Sequence, residues 1–292
     1  MDPVIPQRLR ISGGSNLSFV TAGHRSDPAV VLIHGFPSSW ETFRRVVPEL
    51  SRDAYVVAPD LPGFGASDVL AEPSFATFGT AIVELLDHLR IGPRFIYLHD
   101  FGAPVGLQIA MDAPDQVLGL IIQNANAHRT GFGPQWVTTI DFWSDPSPDN
   151  EAEATAHLTL EGTRDQYTAG LPADVADRIS AARWEEDWRV MSLPGRLDTQ
   201  RALIADYGRY VERFDDVADY LDLWQPPALL LWGRHDPFFD LAEVHSWMED
   251  LPRMEAHILD GGHFLLETHA DVATGLIRAF VEIERGGGQR HR

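Results

Sequence analysis

Short apolar runs rich in β-branched residues, separated by longer stretches of helical period, dominate the first 125 positions of the chain. Val30–His34 (VVLIH), Tyr55–Pro59 (YVVAP), Phe95–His99 (FIYLH) and Leu118–Gln123 (LGLIIQ) read as strands. Polar residues hardly interrupt them, as expected for strands covered on both faces in a parallel sheet. Phe75–Leu89 carries Phe78, Ile82, Leu85, Leu86 and Leu89 at helical spacing and predicts an amphipathic helix. A second helix, Ala103–Met111, follows the Phe95 run directly. Arg8–Ser12 and Leu17–Thr21 flank Gly13-Gly14-Ser15-Asn16 and predict a leading antiparallel hairpin.

After Arg129 the pattern changes. Residues 130–224 are rich in Trp, acidic residues and helix formers, with loop signals at Asp145-Pro146-Ser147-Pro148 and Leu193-Pro194-Gly195 and no strong strand. Strands resume at Ala228–Trp232 (ALLLW) and Ala256–Leu259 (AHIL), and a final helix is predicted at about Asp271–Glu284. The expected architecture is α/β: a mostly parallel central sheet covered by helices, with an inserted helical cap. Its domains are a core of residues 1–129 and 225–285, a cap of 130–224 and a tail of 286–292.

Composition narrows the function classes. The chain has 292 residues, ample for one sizeable core. A formal net charge of −20 argues against nucleic acid or an anionic membrane as partner. With no cysteine there is neither a disulfide nor a thiolate metal site. No apolar run is long enough for a membrane span and the N-terminus lacks a secretory h-region, so a soluble, cytoplasmic protein is expected. The expected partner is a small, apolar molecule, with no cofactor and no metal. Oligomeric state is not legible.

Ligands bind open parallel sheets at the carboxyl ends of the strands. The segments there are His34-Gly35-Phe36-Pro37, Asp60 to Ser67, His99-Asp100-Phe101-Gly102, Asn124-Ala125-Asn126, Arg234-His235-Asp236 and Gly261-Gly262-His263-Phe264. Polar, titratable and Gly-rich residues thus share one rim. Asp100 could be a plain helix N-cap and Asp236 a turn former before Pro237. Their order with His263, however, is that of nucleophile, acid and histidine in α/β hydrolases.

On these segments, the sequence resembles the epoxide hydrolase and haloalkane dehalogenase branch of the α/β-hydrolase superfamily. The resemblance runs from His34-Gly35-Phe36-Pro37 to Gly262-His263-Phe264, nearly the whole chain. It implies an Asp100 nucleophile, an Asp236–His263 pair that activates water, and an oxyanion hole from the backbone N–H groups of Phe36 and Phe101. An aspartate, already ionised at an ordinary pKa near 4, attacks an sp³ carbon and forms an alkyl–enzyme ester. His263 then delivers water to that ester. His34, Pro37, Trp143 and Phe238 are expected around the substrate.

The leaving group divides the branch. An epoxide yields an alkoxide, which the resemblance assigns to cap tyrosines: Tyr207 second, Tyr167 first, with Thr163 as the alternative for the first place. A halide wants N–H donors, and Phe101 has none where the dehalogenases carry Trp. Leu98 departs from the epoxide hydrolase habit of a small residue two before the nucleophile. The sequence therefore favours an epoxide hydrolase. The alternatives are a haloalkane or haloacid dehalogenase and, beyond these, a non-catalytic binding protein on the same fold.

Overall fold

The computed structural model describes residues 4–287, so most of the expected 286–292 tail lies outside the described residues. Eight strands build one sheet: β1 (Gln7–Arg10), β2 (Asn16–Ala22), β3 (Ala29–Ile33), β4 (Tyr55–Pro59), β5 (Arg94–His99), β6 (Val117–Gln123), β7 (Ala228–Gly233) and β8 (Glu255–Leu259). Their order is β1-β2-β4-β3-β5-β6-β7-β8. The β1–β2 and β2–β4 pairs are antiparallel and all others parallel. This is the expected α/β architecture, opened by the expected hairpin.

In β3, β4, β5 and β7 every residue is buried, which is why these segments read as unbroken apolar runs. One layer of core, with Ile33, Ile96, Leu98 and Leu120, lies on one face; Val30, Leu32, Phe95 and Leu229 join the other. β8 differs. It is the sheet's edge, and Ile258 is 50% exposed there.

The short helix α1 (Val47–Leu50) precedes β4, and α2 (Phe75–Leu89) and α3 (Gly102–Asp112) flank β5. A reciprocal capping box between Ser74 and Thr77 starts α2, and Arg90 in the left-handed region ends it. Its predicted apolar stripe is buried. The segment between β6 and β7 is helical: two short 3₁₀ turns (Arg129–Gly131 and Pro134–Trp136), then α4 (Val137–Ser144), α5 (Pro148–Ala154), α6 (Leu160–Thr168), α7 (Ala173–Ala176), α8 (Ala181–Met191), α9 (Arg196–Glu212) and α10 (Phe214–Trp224). α11 (Ala242–Asp250) and α12 (Leu265–Gly287) complete the chain. α12 begins six residues earlier than the sequence suggests, and His269 marks a kink inside it.

Two tyrosines of α9 fasten the helical insertion to the sheet. Tyr207 donates to Asn126 Oδ1 at 2.5 Å and Tyr210 to the Asn126 carbonyl at 2.6 Å, just beyond β6. Arg196 at the start of α9 donates to the carbonyls of Gly63, Gly65 and Ser67 after β4. Buried charge-assisted bonds of this kind fix one element against another. No helix among the described residues is long and apolar enough to cross a membrane.

Candidate active site

The turn between β5 and α3 presents Asp100 at the carboxyl end of the sheet. Its φ is +50°, in the left-handed region that a non-glycine residue rarely occupies. Such a conformation costs about 1–3 kcal/mol and lifts the side chain out of the sheet. The turn closes because its neighbours are glycines. A Cβ on Gly35 would lie 2.3 Å from Asp100 Cβ, and one on Gly102 would lie 2.5 Å from the Ile33 carbonyl oxygen.

Asp100 is buried, and Oδ1 accepts the Phe36 backbone N–H at 2.6 Å. Burial raises its carboxyl above the ordinary range, while His263 and the Phe101 and Phe36 N–H groups pull it down. The carboxyl therefore sits above the ordinary pKa assumed from the sequence. Phe36 joins Pro37 through a cis peptide bond.

His263 Nε2 is 3.8 Å from Asp100 Oδ2 and has no other partner among the described residues. Its Nδ1 meets Asp236 Oδ2 at 2.9 Å. Burial lowers the imidazole's pKa, but the charge and hydrogen bond of Asp236 and the charge of Asp100 outweigh that, and the net shift is upward. Asp236 Oδ1 accepts the backbone N–H groups of Phe238 and Phe239 at 2.7 and 3.2 Å. Gln123 and His99 hold the His263 carbonyl at 3.1 and 3.2 Å. At 3.8 Å, His263 Nε2 is just beyond a direct hydrogen bond to Asp100 Oδ2, which leaves this nitrogen available to a third group beside the pair.

Asn124 supports the acid instead of supplying one. Its Nδ2 donates to Asp236 Oδ2 at 2.9 Å and its Oδ1 accepts the Gly233 N–H at 2.9 Å, tying β6 to β7.

A cavity of about 240 Å³ opens above Asp100. Phe36, Phe101, Trp136, Ile204 and Phe238 form its apolar walls, and Gln135, Thr138, Thr139, Glu153, His157 and Gln166 its polar side. Phe238, expected around the substrate, lines this cavity, and so do Phe36 and Phe101, expected as oxyanion donors.

Other expectations need correction. Tyr167 does not line this cavity: its hydroxyl donates to Asp187 and its ring stacks on Phe264 at 4.0 Å. Thr163, the alternative, is buried and donates back to the Thr159 carbonyl at 2.8 Å. Tyr207 packs its ring 5.7 Å from that of Phe101, but its hydroxyl is committed to Asn126. Trp143 stacks behind Tyr207 and donates to the Ile204 carbonyl, so it supports a wall and is not one. His34 lies beneath the site, with Nε2 accepting the Leu61 N–H at 2.9 Å and Nδ1 placed on the Gly35 carbonyl. Burial pushes its pKa down to about 4, which fits a neutral structural imidazole. Pro37 faces a neighbouring cavity with Ser38 and Asp187.

Sequence reading missed His157, Gln166, Thr139 and Glu153. A lone His and scattered polar residues in a helical insertion carry no spacing signal. Only the folding of α4, α5 and α6 over the sheet brings them into the cavity with Asp100.

Comparison with known proteins agrees with this fold. Residues 28–270 match the alpha/beta hydrolase fold family. The chain belongs to that family. An uncharacterized hydrolase of Saccharomyces cerevisiae is 29% identical over 94% of this chain and 97% of its own length. A fluoroacetate dehalogenase of Burkholderia sp is 27% identical over 96% of this chain and 95% of its own. The solved structure of the epoxide hydrolase CorEH without ligand superposes with a TM-score of 0.77 at 26% identity, over 96% of this chain and 99% of that one. This alpha/beta hydrolase therefore has both epoxide hydrolases and dehalogenases among its distant relatives.

Proposed function

We propose that the chain is a hydrolase whose Asp100 attacks carbon, forms an alkyl–enzyme ester and releases it with water activated by His263. The favoured substrate is a small epoxide, opened to a vicinal diol. The observation that carries this reading is the Asp100 carboxylate itself, held by the Phe36 N–H at 2.6 Å and set 3.8 Å from an otherwise free His263 Nε2.

The chemistry follows from the atoms. One Asp100 oxygen attacks the epoxide carbon, and the carbon–oxygen bond breaks with its electron pair on the departing oxygen. His263, with Asp236 behind it, takes a proton from water, whose oxygen adds to the ester carbonyl. The Phe36 N–H already faces the carboxylate oxygen on which the negative charge develops, with the Phe101 N–H beside it. Collapse returns the Asp100 carboxyl and the diol.

The cavity volume supports a small substrate, and its aromatic floor supports an apolar carbon skeleton. None of the lining residues is Lys or Arg, and Glu153 is one of them, which disfavours a haloacid carboxylate. The helical insertion, residues 130–224, acts as the cap over this site.

Dehalogenation is the second reading, and one observation favours it. Trp136 lines the cavity, and its indole N–H is buried without a partner, a donor that a departing halide could use.

Single turnover in ¹⁸O-water tests the ester. Label is expected in the Asp100 carboxylate after one cycle, and label confined to the diol would exclude the ester route. Chloride or bromide release from haloalkanes without any epoxide turnover would favour the second reading.

A further inference from the structure

Opening an epoxide leaves an alkoxide that needs a proton, and both tyrosines expected to give it point elsewhere, Tyr167 to Asp187 and Tyr207 to Asn126. Among the residues that line the cavity, only three titrate: Asp100, Glu153 and His157. Asp100 is the proposed nucleophile and Glu153 is exposed at the mouth. His157 lines the same cavity as Asp100 and sits edge-on to the Phe36 ring, at 5.7 Å between ring centres and 86° between planes. Phe36 thus carries the nucleophile's N–H donor on its backbone and His157 on its ring. Gln166, a buried residue of α6, lines the same polar side and offers an amide N–H₂.

We propose that His157 is the proton donor to the oxygen leaving the attacked carbon, with Gln166 positioning that oxygen. This rests on the reading that Asp100 alkylates on an epoxide. As the carbon–oxygen bond breaks, the ring oxygen takes its electron pair and then a proton from the His157 imidazolium. After hydrolysis the Asp100 carboxyl sheds one proton, which restores His157. The other proton of the consumed water reaches the second diol oxygen through His263.

Asp100 and Glu153 are the other titratable residues that line the cavity with His157. Burial lowers the imidazole's pKa while the Ala154 carbonyl opposes the shift. The resting ring is therefore a poorer base than a free imidazole, and a correspondingly stronger acid once protonated.

The test uses the full chain with two small epoxides, styrene oxide and 1,2-epoxyhexane. Formation of the Asp100 ester is followed by rapid quench and mass spectrometry, separately from its hydrolysis. H157A and H157Q are each expected to lose about 10²-fold or more in ester formation, the usual scale for a general acid. Ester hydrolysis should change less than about threefold, which reports an intact His263 site. Added imidazoles of graded pKa should restore ester formation in H157A to an extent that follows their acidity.

Wild-type rates of ester formation in H157Q would overturn the proposal. So would rescue that is independent of the pKa of the added imidazole, since that is mere filling of space. If the wild type forms no ester with either epoxide, the functional reading falls and takes this inference with it. An ester in both wild type and H157A at equal rates overturns the role of His157 alone.

Discussion

Leu98 fills the space that a side chain at position 106 would need. A Cβ on Gly106 of α3 would lie 2.2 Å from Leu98 Cδ2, so the bulky residue at the end of β5 is matched by a missing one on the helix packed against it. Close approach of α3 to β5 holds the turn at Asp100, with the large member of the pair on the strand and the small one on the helix.

G106A is therefore expected to destabilise the protein by about 1–3 kcal/mol through overpacking. The cost should shrink in an L98A background, where the same methyl enters a cavity. Denaturant unfolding of the four members of this cycle measures the coupling, which contact of this kind sets at about 0.5–3 kcal/mol. Additive effects would show that the two positions do not share the space.

Asn124 is expected to matter for the second half of the reaction. N124A removes the Nδ2 bond to Asp236 and leaves the Gly233 N–H without its acceptor. A hydrogen bond to a charged group contributes about 1.5–3 kcal/mol. Ester hydrolysis should slow by about tenfold or more, with ester formation nearly unchanged, as resolved by rapid-quench kinetics.

Under the proposed mechanism, the acid side of the pH profile should carry both Asp100 and His263. His263 works as a base only when neutral, and its pKa is raised, so hydrolysis of the ester falls as pH drops through that raised value. Asp100 attacks only when ionised, and burial raises its pKa too, so ester formation also weakens toward acid. H263Q should accumulate the ester, seen as a mass increase of one substrate, and its ester formation should retain only the Asp100 limb.

Asp187 makes stability depend on pH in the opposite sense to an ordinary carboxylate. Burial raises its pKa from 3.8 to about 7, against the hydrogen bond from Tyr167. The native state holds this proton more tightly than the unfolded chain does. Its contribution is complete below about 3.8, declines as pH rises and is lost above about 7. Between pH 5 and pH 8 the melting temperature of the wild type should fall more than that of D187N. Equal falls would assign the dependence to other groups.

Y207F should separate anchoring from chemistry. The hydroxyl ties α9 to Asn126, so its loss is expected to cost about 0.5–1.5 kcal/mol of stability. Ester formation in the same variant should remain within about threefold of wild type. A loss of 10²-fold or more would return the proton donor's role to Tyr207.

Much of the fold was legible because burial on both faces leaves a direct mark on sequence. Strands β3, β4, β5 and β7 admit almost no polar residue, and the stripe of α2 follows from its one buried face. The order Asp100, Asp236, His263 and their strand-end positions were legible for a similar reason: each follows an unmistakable apolar run. The carboxylate–imidazole line that the fold then builds, 2.9 Å on one side and 3.8 Å on the other, joins residues whose chain positions had already marked them.

The direction in which a side chain points was not legible. Tyr207 and Tyr167 occupy plausible positions, but a hydroxyl on a buried ring goes to the nearest strong acceptor, and Asn126 and Asp187 are contributed by other elements. His157 escaped notice for the converse reason. Nothing local distinguishes it, and it shares a cavity with Asp100 only because the link between α5 and α6 folds back over the sheet. The sequence alone determined the sheet, the rim and the order of the triad, since periodicity and strand ends are local properties. Only the tertiary structure decided which polar groups face the cavity, since that depends on which distant partners satisfy the others.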